Sequence, residues 1–259
     1  MTNNGKSHMI AKIINGNTIR VVDKTQFTDA TLKCGQVFRY TDLGNGRYKI
    51  LTGDNWAEID FGSGMVKCND AEYFFNYFDF GTDYNGFINE LQKFEKLPIV
   101  NGIRILKQDF FECVISFIVS ANNNIKRFTK TLFSLFDGRV IEDMTEADFS
   151  RIGCGYRSVY LVKTIKQLRN YDYSELTELD NDSLRKRLMM LSGVGRKVAD
   201  CIMLFAFHRL DAAPVDTHIG KAIEQLGKQQ ANKVFGNKYA GIAQQYIFYY
   251  LQHLKKELK

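Results

Sequence analysis

Proline is nearly absent, with only Pro98 and Pro214 among 259 residues. So few ring-locked positions exclude a Pro-rich tail or spacer, and each of the two marks a break in regular structure. Cysteine is scarce as well. Cys34, Cys68, Cys113, Cys154 and Cys201 are odd in number and more than thirty positions apart, which suits neither a disulfide framework nor clustered metal ligands. Reduced thiols and no metal, zinc or iron–sulfur site are expected. No run approaches the 18 or more apolar residues of a membrane span, and the start, Met1-Thr2-Asn3-Asn4-Gly5-Lys6, lacks a secretory apolar segment. No membrane association and an intracellular location are therefore expected, and the first eight residues carry no fold argument.

What is present is a chain with 45% hydrophobic residues, enough for one large core or two smaller ones. Charge is uneven: residues 1–150 hold 17 Lys and Arg against 19 Asp and Glu, whereas residues 151–259 hold 18 against 10. The basic second part is where a polyanion would bind, although excess Lys and Arg also simply solubilise surfaces.

From Met9 to about Cys68 short alternating runs (Ile10–Ile14, Thr18–Val22, Gln36–Tyr40, Tyr48–Leu51, Ala57–Asp60) are separated by Asn15-Gly16, Gly44-Asn45-Gly46 and Gly53-Asp54, the pattern of an antiparallel sheet. After Cys68 the period becomes helical. An aromatic stretch at Tyr73–Phe78 precedes helices expected over Tyr84–Lys96, from Gln108 or Asp109 to Ala121, and over Lys126–Phe136, Glu146–Ile152, Ser158–Asn170, Asp182–Leu191, Arg196–His208, Thr217–Leu226 and Lys238–Lys256. No repeat or low-complexity tract occurs. The fold class is α+β: an N-terminal antiparallel sheet domain with flanking helices over 9–98, then a helical region over 99–259.

The segment richest in chemistry is helix, tight turn, helix. Leu184, Leu188 and Leu191 share one helical face, Ser192-Gly193-Val194-Gly195 turns the chain, and Val198, Ile202 and Phe205 form the inward stripe of the next helix. Two glycines around an apolar residue let a partner approach the backbone, and the N–H groups opening the second helix suit a phosphate oxygen. On a Gly-x-Gly alone, an ordinary helix–helix turn is the better explanation of the pattern.

Leu191-Ser192-Gly193-Val194-Gly195-Arg196-Lys197-Val198-Ala199-Asp200, followed by Pro214-Val215-Asp216-Thr217-His218, resembles the signature of the helix-hairpin-helix DNA glycosylases with a Gly/Pro-rich loop and an aspartate. With Cys34-Gly35-Gln36-Val37-Phe38-Arg39, Ser120-Ala121-Asn122-Asn123-Asn124-Ile125-Lys126-Arg127, Gly153-Cys154-Gly155-Tyr156-Arg157 and Tyr239-Ala240-Gly241-Ile242-Ala243-Gln244 in the same order, the chain resembles the 8-oxoguanine DNA glycosylase family. The resemblance implies a monomer acting on double-stranded DNA that contains 8-oxoguanine, with base excision and strand nicking and without a cofactor.

It also implies roles. Lys197 would attack the sugar C1′, helped by the positive end of its helix, which disfavours a protonated amine. Asp216 would stabilise the cationic sugar, a role compatible with that of a helix N-cap. Gly35 would accept a hydrogen bond from N7–H of the flipped base, Phe248 and Cys201 would sandwich it, and Gln244 would meet its pairing edge; Phe248 and Cys201 suit a plain core equally well. Asn122 would fill the vacated space, Arg127 and Arg157 would bind the orphaned cytosine, and Tyr156 would wedge beside it. Gly193, Gly195 and His218 would face the DNA backbone. The stretch between Arg127 and Tyr156 is shorter than the resemblance implies, which leaves open whether Tyr156 and Arg157 still converge with Asn122.

Overall fold

The computed structural model describes residues 9–216, 219–221 and 228–254. Of the helix expected over 217–226 only 219–221 lie within the described residues, where they are helical, and His218 lies outside them. Six strands, β1 (Ala11–Asn15), β2 (Thr18–Val21), β3 (Tyr40–Gly44), β4 (Arg47–Thr52), β5 (Asn55–Asp60) and β6 (Met65–Cys68), form one sheet in the order β1-β2-β6-β5-β4-β3. Every neighbouring pair is antiparallel. Alternation dictates the sided burial: Tyr48, Ile50 and Thr52 of β4 point inward, as do Ala57 and Ile59 of β5. Gly44, Asn45 and Gly46 all have positive φ, which lets the β3–β4 hairpin turn tightly.

Two strands differ from the sequence expectation. Met65–Cys68 is too short to show alternation, yet it lies inside the sheet between β2 and β5. Only Tyr40 of the run Gln36–Tyr40 joins a strand. Val37 is buried in the sheet core while Phe38 packs on the helical core, its ring centroid 4.7 Å from that of Phe128. The apolar pair there serves two separate cores rather than one face of a sheet.

The short helix α1 (Ala30–Lys33) precedes β3, and α2 (Ala71–Tyr77), capped by Asp70, closes the sheet core with Phe74 and Tyr77. The helical body holds α3 (Asn85–Leu91), α4 (Phe110–Ser120), α5 (Ile125–Leu135), α6 (Glu146–Arg151), α7 (Arg157–Leu168), α8 (Tyr173–Thr177), α9 (Asn181–Met189) and α10 (Arg196–Phe205). The helices Lys228–Phe235 and Ala240–Tyr249 follow, the latter passing into a π-helical turn over Tyr250–Leu254. Helices α1, α2, α8 and Lys228–Phe235 lie outside the helices expected from the sequence. Among the described residues no helix is long and apolar enough to cross a membrane.

A buried polar junction joins the two cores. Arg104 is fully buried, stacks over Tyr84 at 4.2 Å and donates to the carbonyls of Phe78 and Asp79. The Asp79 carboxylate meets Lys107 Nζ at 2.8 Å, His208 Nε2 at 3.2 Å and the Tyr84 hydroxyl at 3.0 Å. His208 lies just beyond the C-cap of α10, so the helix that begins with Arg196-Lys197 is tied near its far end to the sheet domain.

Candidate functional site

The hairpin α9–turn–α10 is held from behind by α7. Gly193 has φ +82°, and a Cβ there would stand 2.9 Å from Cβ of Tyr160, so only glycine fits without displacing α7. Thr164 donates to the Ser192 carbonyl (2.5 Å), Gln167 donates to that of Met190 (3.0 Å) and accepts from the Ser192 N–H (2.9 Å). Tyr160, Thr164 and Gln167 lie on one face of α7 at helical spacing. Gly195 is the N-cap of α10, makes no side-chain cap and has open space where a Cβ would be. The first N–H groups of α10 thus lack an intrahelical or capping acceptor.

Lys197 occupies the first turn of α10, half-buried, with Nζ 5.3 Å from the Phe117 ring centroid. One turn on, Cys201 is fully buried. Burial pushes its thiol up, the Lys197 ammonium opposes that shift, and Asp200 and Asp216 add to it. Lys197 and Asp216 therefore both lie near the Cys201 thiol. Asp216 Oδ1 accepts from the Ile219 N–H at 2.8 Å and its carbonyl accepts from Gly220 N–H at 2.8 Å, the geometry of an N-cap. Gly241, in the stretch Tyr239–Gln244, has a part the sequence did not disclose. A Cβ there would come within 2.5 Å of the Ala212 carbonyl and of Leu204 Cδ1, so glycine lets the helix Ala240–Tyr249 dock on the segment leading to Asp216.

A cavity of about 350 Å³ opens beside Lys197, walled by Arg185, Arg196, Asp200 and Asp211. Gly35 and Phe248 belong to a second cleft of about 460 Å³ that also includes Phe38, Ile125 and Lys126. Gln36 fixes the backbone beside Gly35: its buried amide donates to the carbonyls of Thr31 (2.8 Å) and Arg104 (2.7 Å) and accepts from Leu106 N–H (2.9 Å). Cys201 and Gln244 are buried and do not line this cleft. Gln244 Oε1 accepts from the Gln245 amide at 2.6 Å.

Of the third group, Asn122, Tyr156 and Arg157 come together despite the short link before Tyr156, and Arg127 does not. Asn122, Tyr156, Arg157, Gly193 and Gly195 line one groove of about 470 Å³. Asn122 has φ +49° directly after the C-cap of α4, and Tyr156 projects its ring, 58% exposed. Arg157 is buried. It donates to the carbonyls of Ala121 (2.9 Å) and Asn122 (2.8 Å) and stacks on the Tyr156 ring at 4.3 Å. Its guanidinium thus holds the end of α4 and the Asn122 loop. Arg127 is exposed on α5 and does not line this groove.

Residues 19–114 match the family model for the N-terminal domain of 8-oxoguanine DNA glycosylase. The apo form of Clostridium acetobutylicum 8-oxoguanine glycosylase/lyase is 31% identical, superposes with a TM-score of 0.79, and is covered over 97% of its length by 93% of this chain. The chain belongs to the 8-oxoguanine DNA glycosylase family. The same Clostridium protein bound to double-stranded DNA with cytosine opposite 8-oxoguanine gives a TM-score of 0.85 at 29% identity, covering 95% of this chain and all of that one. The N-glycosylase/DNA lyase of Saccharomyces cerevisiae is 33% identical over 82% of this chain and 65% of its own length. This family member spans slightly under two thirds of the length of three curated N-glycosylase/DNA lyase relatives that it matches.

Proposed function

We propose that this chain is a bifunctional DNA glycosylase and abasic-site lyase that excises 8-oxoguanine from duplex DNA, prefers cytosine opposite the lesion, and acts as a monomer inside the cell. The observation that carries this is Lys197 seated in the uncapped first turn of α10, just after the Gly193-Val194-Gly195 turn and with Nζ 5.3 Å from the Phe117 ring centroid, where both it and Asp216 are near enough to Cys201 to affect its thiol. An amine with a carboxylate beside it at a positive helix end is suited to nucleophilic attack on a sugar that becomes cationic as its base departs.

In the proposed sequence, neutral Lys197 Nζ forms a bond to C1′ as the C1′–N9 bond breaks, and the electron pair leaves with the base, which takes up a proton. Asp216 faces the developing positive charge. Opening of the sugar ring gives an iminium linkage to Lys197; loss of a C2′ proton then expels the 3′ phosphate by breaking the C3′–O bond. Asn122 and Tyr156 would hold the opened duplex, Gly195 and the N–H groups beside it would take a phosphate, and the cleft of Gly35 and Phe248 would receive part of the flipped base.

The test is borohydride trapping on a duplex with 8-oxoguanine opposite cytosine. The wild-type protein should form a covalent adduct, and Lys197→Gln should form none while binding the same duplex within about tenfold of wild type, because phosphate contacts supply most of the affinity. An undiminished adduct with Lys197→Gln would remove Lys197 from this role.

A further inference from the structure

A nucleophilic lysine has to be reached as the free amine, and the described charged groups around Lys197 bear on that. On α10 these are Arg196, Asp200 and the Cys201 thiol; from α9 comes Arg185; from the segment after α10 come Asp211 and Asp216. From α4 the neighbours are the apolar Phe117 ring and the buried Cys113 thiol beside Cys201. Asp200 is the acidic group on the same helix, three positions on, where side chains are neighbours. A carboxylate there with nothing else to bind would hold Lys197 as an ammonium ion, the form without a lone pair.

Asp200 is occupied instead. Its Oδ1 lies 2.7 Å from Nε of Arg185, and the two side chains are only 8% and 18% exposed. Arg185 is held from the other side by Asp182 Oδ1, 3.0 Å from its Nη1. Arg196, 76% exposed, reaches Asp200 Oδ2 only at 4.0 Å, a solvent-screened distance. Arg185 is thus the close, dry partner of the carboxylate that would otherwise compete for Lys197.

We propose that Arg185 is a positioning residue that engages the Asp200 carboxylate and so keeps Lys197 available as a neutral amine, an inference that rests on Lys197 being the nucleophile. The same ion pair fastens α9 to α10, but a fastening role alone leaves the pH dependence of attack unchanged. Releasing Asp200 toward Lys197 moves it.

The experiment follows borohydride-trapped adduct formation on an abasic-site duplex, which bypasses base recognition, from about pH 5.5 to about pH 9.5. Arg185→Met should move the midpoint of the pH profile alkaline by about one unit, the effect of one nearby charge at intermediate dielectric. Adding Asp200→Asn to that variant should return the midpoint to within about 0.3 unit of wild type. An unmoved midpoint in Arg185→Met, or a shift that survives Asp200→Asn, overturns the proposal. Should Arg185→Met not fold, Asp200→Asn alone decides: Arg185 and Arg196 then act on Lys197 unopposed, and the midpoint should move acid. No movement there counts against Arg185. A wild-type protein that forms no adduct overturns both this role and that of Lys197, whereas a wild-type adduct with unmoved variants overturns this one alone.

Discussion

Gly35 packs against the Phe248 ring so closely that a Cβ on Gly35 would stand 2.6 Å from Phe248 Cε1. Its φ of +80° also disfavours any side chain. Gly35→Ala should therefore push the Phe248 ring and tilt the Gly35 carbonyl, lowering single-turnover excision of 8-oxoguanine by at least about tenfold. Strain of about 1–2 kcal/mol should appear as a modest fall in thermal stability. Excision at the wild-type rate would show that the cleft tolerates a methyl group and is not shaped to this degree.

Asp216 caps a helix and is proposed to face the reacting sugar, two tasks that substitutions can separate. Asn keeps an oxygen for the Ile219 N–H but loses the charge, so Asp216→Asn should retain stability and slow excision by roughly a hundredfold. Asp216→Ala should be as slow and, in addition, about 1 kcal/mol less stable. Equal excision by Asp216→Asn and wild type would leave Asp216 as a cap alone.

Arg157 and Arg127 should behave differently although the sequence suggests one shared duty. Arg157 donates to the carbonyls of Ala121 and Asn122, so Arg157→Ala should destabilise the fold by about 2 kcal/mol and also disturb Asn122. Arg127→Ala, at an exposed position, should leave stability unchanged. If Arg127 contacts the opposite base, its loss should reduce the preference for cytosine over adenine, which for one base contact is worth about 1–3 kcal/mol. Single-turnover excision with each of the four bases opposite 8-oxoguanine measures this; a preference unaltered by Arg127→Ala removes that residue from base recognition.

These contrasts show what one chain in isolation discloses. The hairpin was legible because its signals are local: apolar spacing in two helices and glycines at a turn. The sheet was legible from alternation, except where Val37 and Phe38 serve different cores. The contacts of Arg157 with the Asn122 loop, of Gly241 with Ala212, and of Arg185 with Asp200 join residues between 15 and 36 positions apart. No periodicity announces such pairings, because they arise only when helices pack.

Acid stability offers a test of the junction between the cores. Burial pushes the Asp79 carboxyl up, but hydrogen bonding and charge from His208 and Lys107 outweigh it and hold it at about 2, below its ordinary 3.8. A carboxyl with a depressed folded value contributes stability above its unfolded value and loses it as pH falls through the folded one. Asp79 should thus contribute about 2 kcal/mol near neutrality, lost progressively between about pH 4 and pH 2. Denaturant titrations should show that slope in wild type and a shallower one in Asp79→Asn. Matching slopes would remove Asp79 as the acid-sensitive group.

The helix α7 touches both ends of the surface proposed to bind DNA. Arg157, its first residue, holds the Asn122 loop, and Gln167, ten positions on, holds the hairpin turn. At about 1.5 Å per residue those anchors are about 15 Å apart along a rod with no internal break. Such a rod acts as a ruler: the spacing between wedge and strand grip is built into its length, and a one-residue insertion would turn one anchor by about 100° relative to the other. A ruler of this stiffness does not yield to the duplex, so the deformation needed to open the stack falls on the nucleic acid. Sequences that kink easily around the lesion should then be served faster than rigid ones, through the cost of bending alone.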